Sequence, residues 1–172
     1  MTTEALARAE SLIATIPDFP EPGILFRDIS PLLADAAAMR AVVDAVISPF
    51  ADEFDVVAGV EARGFLLAGA VAVAAGVGMA PIRKAGKLPR PAASVDYALE
   101  YGTASIEMSG DLAPGTRVLL VDDILATGGT LRAGQQLLGA LGLVLAGTAV
   151  IMELDGLGGQ AACGPVHAVF RV

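Results

Sequence analysis

The sequence predicts an α/β fold in which a parallel twisted sheet is flanked by helices on both faces. Three observations carry this expectation. The chain has 172 residues, enough for one domain with a sizeable core. A strand–helix–strand pattern occurs twice, and its strands are continuous apolar runs, the pattern of strands covered on both faces. Two of those strands run directly into charged residues at their carboxyl ends, where open α/β sheets bind ligands. No composition shift marks a boundary, so residues 1–172 are expected to form a single domain.

The elements follow in order. Leu6, Ala9, Leu12, Ile13 and Ile16 recur at helical spacing, with Thr2 or Thr3 as N-cap. Pro17, Pro20 and Pro22 break that helix, and residues 17–31 read as a long irregular segment with aromatic and charged residues. Asp35 can cap a second helix carrying Met39, Val42, Val43 and Val46 on one face and ending before Pro49. The first strand–helix–strand unit then spans 55–60, 65–75 and 79–82. The second spans 117–122, about 130–141, and 144–152. Residues 85–101, with Gly86, Pro89 and Pro91, read as a long mobile loop.

Composition narrows the function classes. Eleven Lys+Arg against 19 Asp+Glu give a net charge of −8, the reverse of the balance a general nucleic-acid binder needs. Cys163 is the one cysteine and His167 the one histidine, which leaves no internal disulfide and no His/Cys metal site. Both read as structural residues. The apolar fraction is 55% and the mean hydropathy +0.67, so a membrane span must be considered over the uncharged residues 64–82. That stretch is rich in Ala and Gly, and Gly76 and Gly78 divide it into a helix and a strand. The N-terminal residues carry Glu4, Arg8 and Glu10 and lack the apolar core of a signal peptide. The expectation is a cytoplasmic protein without membrane association.

The strongest chemical signal is Val118-Leu-Leu-Val-Asp-Asp-Ile-Leu-Ala-Thr-Gly-Gly-Thr130. Two acids close an apolar strand, and a Thr-Gly-Gly-Thr turn opens a helix. Glycines admit an anion close to the backbone, and the first N–H groups of a helix point at it unpaired. Thr127 and Thr130 add hydroxyl donors suited to a phosphate monoester, while Asp122 and Asp123 are acceptors suited to the hydroxyls of a sugar bearing that phosphate. An acidic protein that takes a polyanion must concentrate its cations at the site. Arg83, Lys84, Lys87 and Arg90 put four of the 11 cations in one short stretch, and Arg63 follows the end of another strand. Phe26, in the proline-rich segment, is an aromatic that needs a partner, and a stacked ring would supply one.

This thirteen-residue stretch resembles the phosphoribosyl pyrophosphate motif of the type I phosphoribosyltransferase family. Three more segments resemble the adenine-specific members of that family. They are Asp18-Phe-Pro-Glu-Pro-Gly-Ile-Leu-Phe-Arg-Asp-Ile-Ser-Pro-Leu-Leu33, Ala58-Gly-Val-Glu-Ala-Arg-Gly-Phe65, and Ile82-Arg-Lys-Ala-Gly-Lys-Leu-Pro89 followed by Tyr97-Ala-Leu-Glu-Tyr-Gly102. The resemblance runs from about residue 16 to 154, and it weakens over the glycine-rich residues 156–164.

The resemblance implies transfer of the 5-phosphoribosyl group from phosphoribosyl pyrophosphate to adenine, giving AMP and pyrophosphate. It assigns the ribose hydroxyls to Asp122 and Asp123, and the 5-phosphate to Ala126, Thr127, Gly128, Gly129 and Thr130. Pyrophosphate falls to Arg63, Arg83, Lys84 and Lys87, and no role carries over to Arg90. Residues 1–33 would form a small hood over the base site. There Phe26 would stack on adenine and the backbones of Leu25 and Arg27 would read its edge, with Leu154 closing the pocket. Glu100 would act in catalysis on the base, and Tyr101 would anchor the closed loop. Mg²⁺ is implied as a cofactor held through the substrate rather than by protein ligands, and the assembly implied is a homodimer. Two alternatives share the donor motif: transfer to another purine, against which residues 19–33 argue, and a non-catalytic nucleotide-sensing regulator, which would call for a basic arm. A receiver-like phosphoacceptor could use Asp122 and Asp123 but leaves the Thr-Gly-Gly-Thr turn unexplained.

Overall fold

The computed structural model describes residues 3–98 and 102–172. They fall into two compact units, one ending at Ala45 and one running from Val46 to Val172.

The first unit opens with helix α1 (Thr3–Ser11). The expected helical run to Ile16 stops there because Ala14–Pro17 is a strand, β1, paired antiparallel with β2 (Leu25–Asp28). Beta-branched Thr15 and Ile16 followed by proline suit an extended chain better than a last helical turn. The segment expected to be irregular therefore holds a two-stranded ribbon. It continues into α2 (Ser30–Ala34), which has Pro31 in its first turn, and α3 (Ala36–Ile47). Asp35 caps α3 as expected, accepting hydrogen bonds from the backbone N–H groups of Ala37 (3.1 Å) and Ala38 (2.9 Å). Arg8 pairs with the same Asp35 carboxylate.

The second unit is a seven-stranded sheet. Its strands are β3 (Val56–Val60), β4 (Gly78–Lys84), β5 (Ala93–Ala98), β6 (Thr103–Met108), β7 (Arg117–Leu125), β8 (Val144–Glu153) and β9 (His167–Arg171). Their spatial order is β5-β6-β4-β3-β7-β8-β9. Pairing is parallel from β4 through β9, while β4–β6 and β5–β6 are antiparallel. Helices α4 (Arg63–Ala75) and α5 (Gly129–Ala140) are the crossovers. Val118 to Val121 are all fully buried, so side chains on both faces of β7 are covered and the strand reads as an unbroken apolar run. Val118 and Leu120 share a core with Leu131, Leu137 and Leu138 of α5.

The chain leaves β3 towards β4 on one side and later returns to lay β7 on the other. The crevice outside the carboxyl ends of β3 and β7 is thus the topological switch point of the sheet, the place where such folds bind ligands. Residues 61–65 and 122–130 both empty into it.

The expected loop over 85–101 contains β5. Ala93, Val95 and Tyr97 pack against the core while Ser94 and Asp96 stay exposed, a period of two that marks a half-buried strand. Among the described residues, no helix is long and apolar enough to cross a membrane.

Candidate active site

Strand β7 brings Asp122 and Asp123 to the switch point almost fully buried, 9% and 4% exposed. The Asp123 N–H donates to Asp122 Oδ1 at 2.9 Å. Arg63, at the first position of α4, lies 2.8 Å from Asp123 Oδ2, a charge contact that leaves this buried oxygen without a hydrogen bond. Burial, with the Asp123 charge next to it, raises the Asp122 carboxyl well above the usual carboxylate range. Burial also raises Asp123, against the opposing pull of Arg63. A side chain on Gly64 would put its Cβ 2.9 Å from Asp122 Oδ1, so the glycine of the 61–65 segment is what lets α4 start beside the acids.

The turn after β7 encloses a cavity of about 120 Å³ lined by Asp122 and residues 124–131. Gly128 holds φ +80° at the N-cap of α5, which has no side-chain cap. A left-handed backbone here favours glycine, and the uncapped first turn of the helix presents backbone N–H groups together with the hydroxyls of Thr127 and Thr130. That chemistry fits a dianionic phosphate.

A second cavity, of about 280 Å³, is lined by Val60, Glu61, Ala62, Arg63, Lys84, Tyr97, Ile106, Asp122, Asp123 and Thr130. It shares Asp122 and Thr130 with the first. Acids, hydroxyl donors and cations therefore line two neighbouring cavities that share Asp122 and Thr130 as walls.

Lys84 lines this cavity, and Arg83 and Lys87 join it through Glu61. That carboxylate pairs with the Lys87 ammonium, accepts the Lys84 N–H at 3.0 Å and lies 3.5 Å from Arg83 Nε. Lys87, first among these partners, draws the Glu61 carboxyl below its ordinary range. Arg83 in turn donates to the Lys87 carbonyl at 3.0 Å. Glu107, 5% exposed on β6, accepts the N–H groups of Leu88 (2.8 Å) and Lys87 (3.0 Å) and fixes the tip that carries Lys87. The Leu88 N–H is the leading cause of the lowered Glu107 carboxyl. Arg90 stands apart, 81% exposed and 3.4 Å from Asp111.

Sequence reasoning missed Glu61, Glu107 and Tyr97 as parts of this arrangement. Glu61 could have been found as the acid within the 58–65 segment. Glu107 becomes visible only once β4 and β6 are known to pair.

In the first unit, Phe26 is half-buried and meets Phe19 edge to face at 5.1 Å. Leu25 is 60% exposed, and Arg27 donates to the Thr15 hydroxyl. In the second unit Leu154 follows β8 and donates its N–H to the Leu125 carbonyl at 2.9 Å. Glu100 and Tyr101 lie outside the described residues.

Comparison with known proteins agrees on one family. Residues 32–161 match the phosphoribosyl transferase domain. The chain is 58% identical over 153 residues to an adenine phosphoribosyltransferase of Arthrobacter sp. (strain FB24), covering 88% of this chain and 83% of the relative. It superposes on the crystal structure of adenine phosphoribosyltransferase from Rhodothermus marinus with a TM-score of 0.93 at 43% identity, over 99% of this chain and 100% of that one. The Saccharomyces cerevisiae enzyme, complexed with an imino-altritol bisphosphate and adenine, gives a TM-score of 0.91 at 34% identity, over 98% and 99% of the two chains.

Proposed function

The chain belongs to the phosphoribosyl transferase family, and we propose that it carries out the family's adenine reaction, transfer of the 5-phosphoribosyl group from phosphoribosyl pyrophosphate to adenine with release of pyrophosphate. The product is AMP, and the role is purine salvage. The observation that carries the reading is the buried Asp122–Asp123 pair held between a glycine turn and a set of cations at the switch point of the sheet.

Each part of the donor has a counterpart. The turn from Ala126 to Thr130 takes the 5-phosphate, and Asp122 and Asp123 accept hydrogen bonds from the ribose hydroxyls. Arg63, Lys84, Lys87 and Arg83 take the pyrophosphate. Substitution at the anomeric carbon passes through an oxocarbenium-like state, so catalysis needs a positioned donor, a stabilised leaving group and a dry site. Arg63 and Lys87 are paired with Asp123 and Glu61 in the free protein. Binding exchanges those partners for phosphate oxygens, and the leaving charge then develops against cations already in place.

Mg²⁺ suits this donor set, because two carboxylates, one with an unsatisfied oxygen, stand where the donor's ribose and pyrophosphate oxygens would share a hard cation. When bound it would offset charge on the leaving pyrophosphate. Asp122 and Asp123 would act on it through the donor they hold.

For the base, Phe26 offers a ring face, Leu25 and Arg27 offer backbone edges, and Leu154 is assigned to adenine by the same resemblance. Glu100 is assigned to orient the base and move its proton, and Tyr101 to anchor the loop in its closed position. The assembly proposed is a homodimer, checked by light scattering, where a mass near 17.3 kDa would count against it. The deciding assay incubates the protein with phosphoribosyl pyrophosphate, Mg²⁺ and each purine in turn. AMP from adenine alone is expected, and nucleotide from hypoxanthine or guanine instead would reassign the acceptor.

A further inference from the structure

The glycine-rich residues 156–164, over which the resemblance weakens, are given no role by it, yet they touch the phosphate turn. After Gly158, the short helix α6 (Gly159–Cys163) brings its first residue against residues 125–128. Gly159 is buried, and a Cβ on it would collide with the Ala126 carbonyl oxygen and come within 2.6 Å of Leu125 Cδ1. The contact is reciprocal. A Cβ on Gly128 would collide with the Gly159 carbonyl oxygen and lie 3.2 Å from Ala162 Cβ. Two backbones thus meet with no side chain between them, one of them being the turn that has to aim N–H groups at a phosphate.

Helix α6 is itself pinned. Gln160 Nε2 donates to Glu153 Oε2 at 2.7 Å, at the end of β8. Arg171 of β9 lies 3.4 Å from the same carboxylate oxygen, and the Cys163 thiol donates to the Gly159 carbonyl at 3.2 Å. The glycine is therefore tied to the rigid sheet rather than to a free tail.

We propose that Gly159 and Gln160 are positioning residues for the 5-phosphate, with α6 acting as a wall that sets where the 126–130 turn points its donors. The proposal rests on the reading that this turn holds the 5-phosphate. A hydrogen-bonding cradle loses most of its advantage when its supporting residues allow it to move by an ångström. The effect belongs to the donor alone.

The test compares wild type with Gly159→Ala, Gln160→Ala and Thr130→Val in steady-state kinetics, with ribose 5-phosphate as the competing probe. Gly159→Ala is expected to raise the donor KM and the ribose 5-phosphate inhibition constant about tenfold, and Gln160→Ala about threefold, with the adenine KM and kcat within about twofold of wild type. A merely structural role would lower kcat with the active fraction and leave both KM values alone, and that result overturns the proposal. So do unchanged donor constants in both variants while Thr130→Val weakens ribose 5-phosphate. If Thr130→Val has no effect on that probe, the turn does not hold the phosphate and the parent reading fails, taking the inference with it. Should Gly159→Ala fail to fold, Gln160→Ala decides, because it removes one hydrogen bond and adds no atom.

Discussion

Carboxylates stand in opposite circumstances at the two ends of β7. At its amino end, Arg117 forks onto Asp55 with Nη2 at 2.6 Å and Nε at 3.1 Å, and its Nη1 donates to the Asp52 carbonyl at 3.0 Å. The Arg117 backbone N–H adds a bond to Asp55 Oδ2 at 3.0 Å. The pair is about half exposed, and the Arg117 hydrogen bonds push the Asp55 carboxyl down to about 2. At the carboxyl end, a few residues on, two neighbouring acids are buried, Asp123 alone ion-paired with Arg63, and both are raised. One end is satisfied by the fold. The other keeps acceptors that the fold leaves incompletely matched, and those are the ones a ligand can complete.

The largest effect should come from the unsatisfied end. Asp122→Asn with Asp123→Asn removes charge-assisted hydrogen bonds worth ~1.5–3 kcal/mol each, so donor affinity should fall about tenfold or more per residue. Stability should move the other way. Removing ionised groups from a buried site spares their desolvation, and the free double variant should melt at or above the wild-type Tm. Calorimetric titration with phosphoribosyl pyrophosphate checks the first part and a thermal scan the second. A variant that binds normally and melts earlier would mean the pair is structural after all.

The converse substitution is Arg117→Ala. It strips every side-chain partner from Asp55 and releases the Asp52 carbonyl, far along the strand from the switch point. Tm should drop by about 2–4 °C, the range for a partly exposed pair in a chain of this size. The donor KM and kcat should stay within about twofold of wild type. A donor KM that rises with the loss of Tm would show that the two ends of β7 are coupled.

How much of this contrast was legible in the sequence depends on distance along the chain. The acids, the Thr-Gly-Gly-Thr turn and the two apolar strands are contiguous patterns, so the switch-point site could be read directly. Arg63 followed from its place after a strand end, where such sheets bind ligands, and Lys84 from the run of cations that a polyanion site needs. Asp55 and Arg117 lie at the amino ends of paired strands, and their fork needs the β3–β7 register before it can be seen. The same holds for Glu107, buried by the β4–β6 pairing, and for Gly159, whose partners are about thirty residues earlier. The β1–β2 ribbon was hidden by its prolines, and β5 by Gly86, Pro89 and Pro91, which made the whole stretch look like loop although Ala93, Val95 and Tyr97 alternate correctly for a strand.

Acidity separates the two ends more finely. Asp55 has a folded-state pKa below its unfolded value of roughly 3.9, so its contribution is fully present above that value and is lost as pH falls through about 2. Asp122 and Asp123 have raised folded-state values. Their protonated forms favour the folded state, and stability is lost as pH rises from the unfolded pKa through the raised ones. Chemical denaturation across the acid range should therefore show Asp55→Asn less stable than wild type at neutral pH and converging with it near pH 2. The Asp122→Asn, Asp123→Asn protein should be the more stable one at neutral pH and converge with wild type at low pH. Curves that converge in the same direction would erase the distinction.

The smallest effect expected is that of Arg117→Lys, and it isolates geometry from charge. Lysine keeps the positive charge beside Asp55 but offers a single ammonium in place of a planar fork, so it can keep one of the two carboxylate contacts and must give up the Asp52 carbonyl or the second oxygen. The backbone bond from residue 117 to Asp55 survives any side chain. Tm should therefore fall by less than half of the Arg117→Ala loss, with kinetics unchanged. Because hydrogen bonds from the Arg117 side chain are the leading cause of the depressed Asp55 value, an NMR titration should find that carboxyl moved part of the way back towards its ordinary range. An Asp55 value that stays near 2 in the lysine variant would mean that charge alone, and not the fork, holds the amino end of β7.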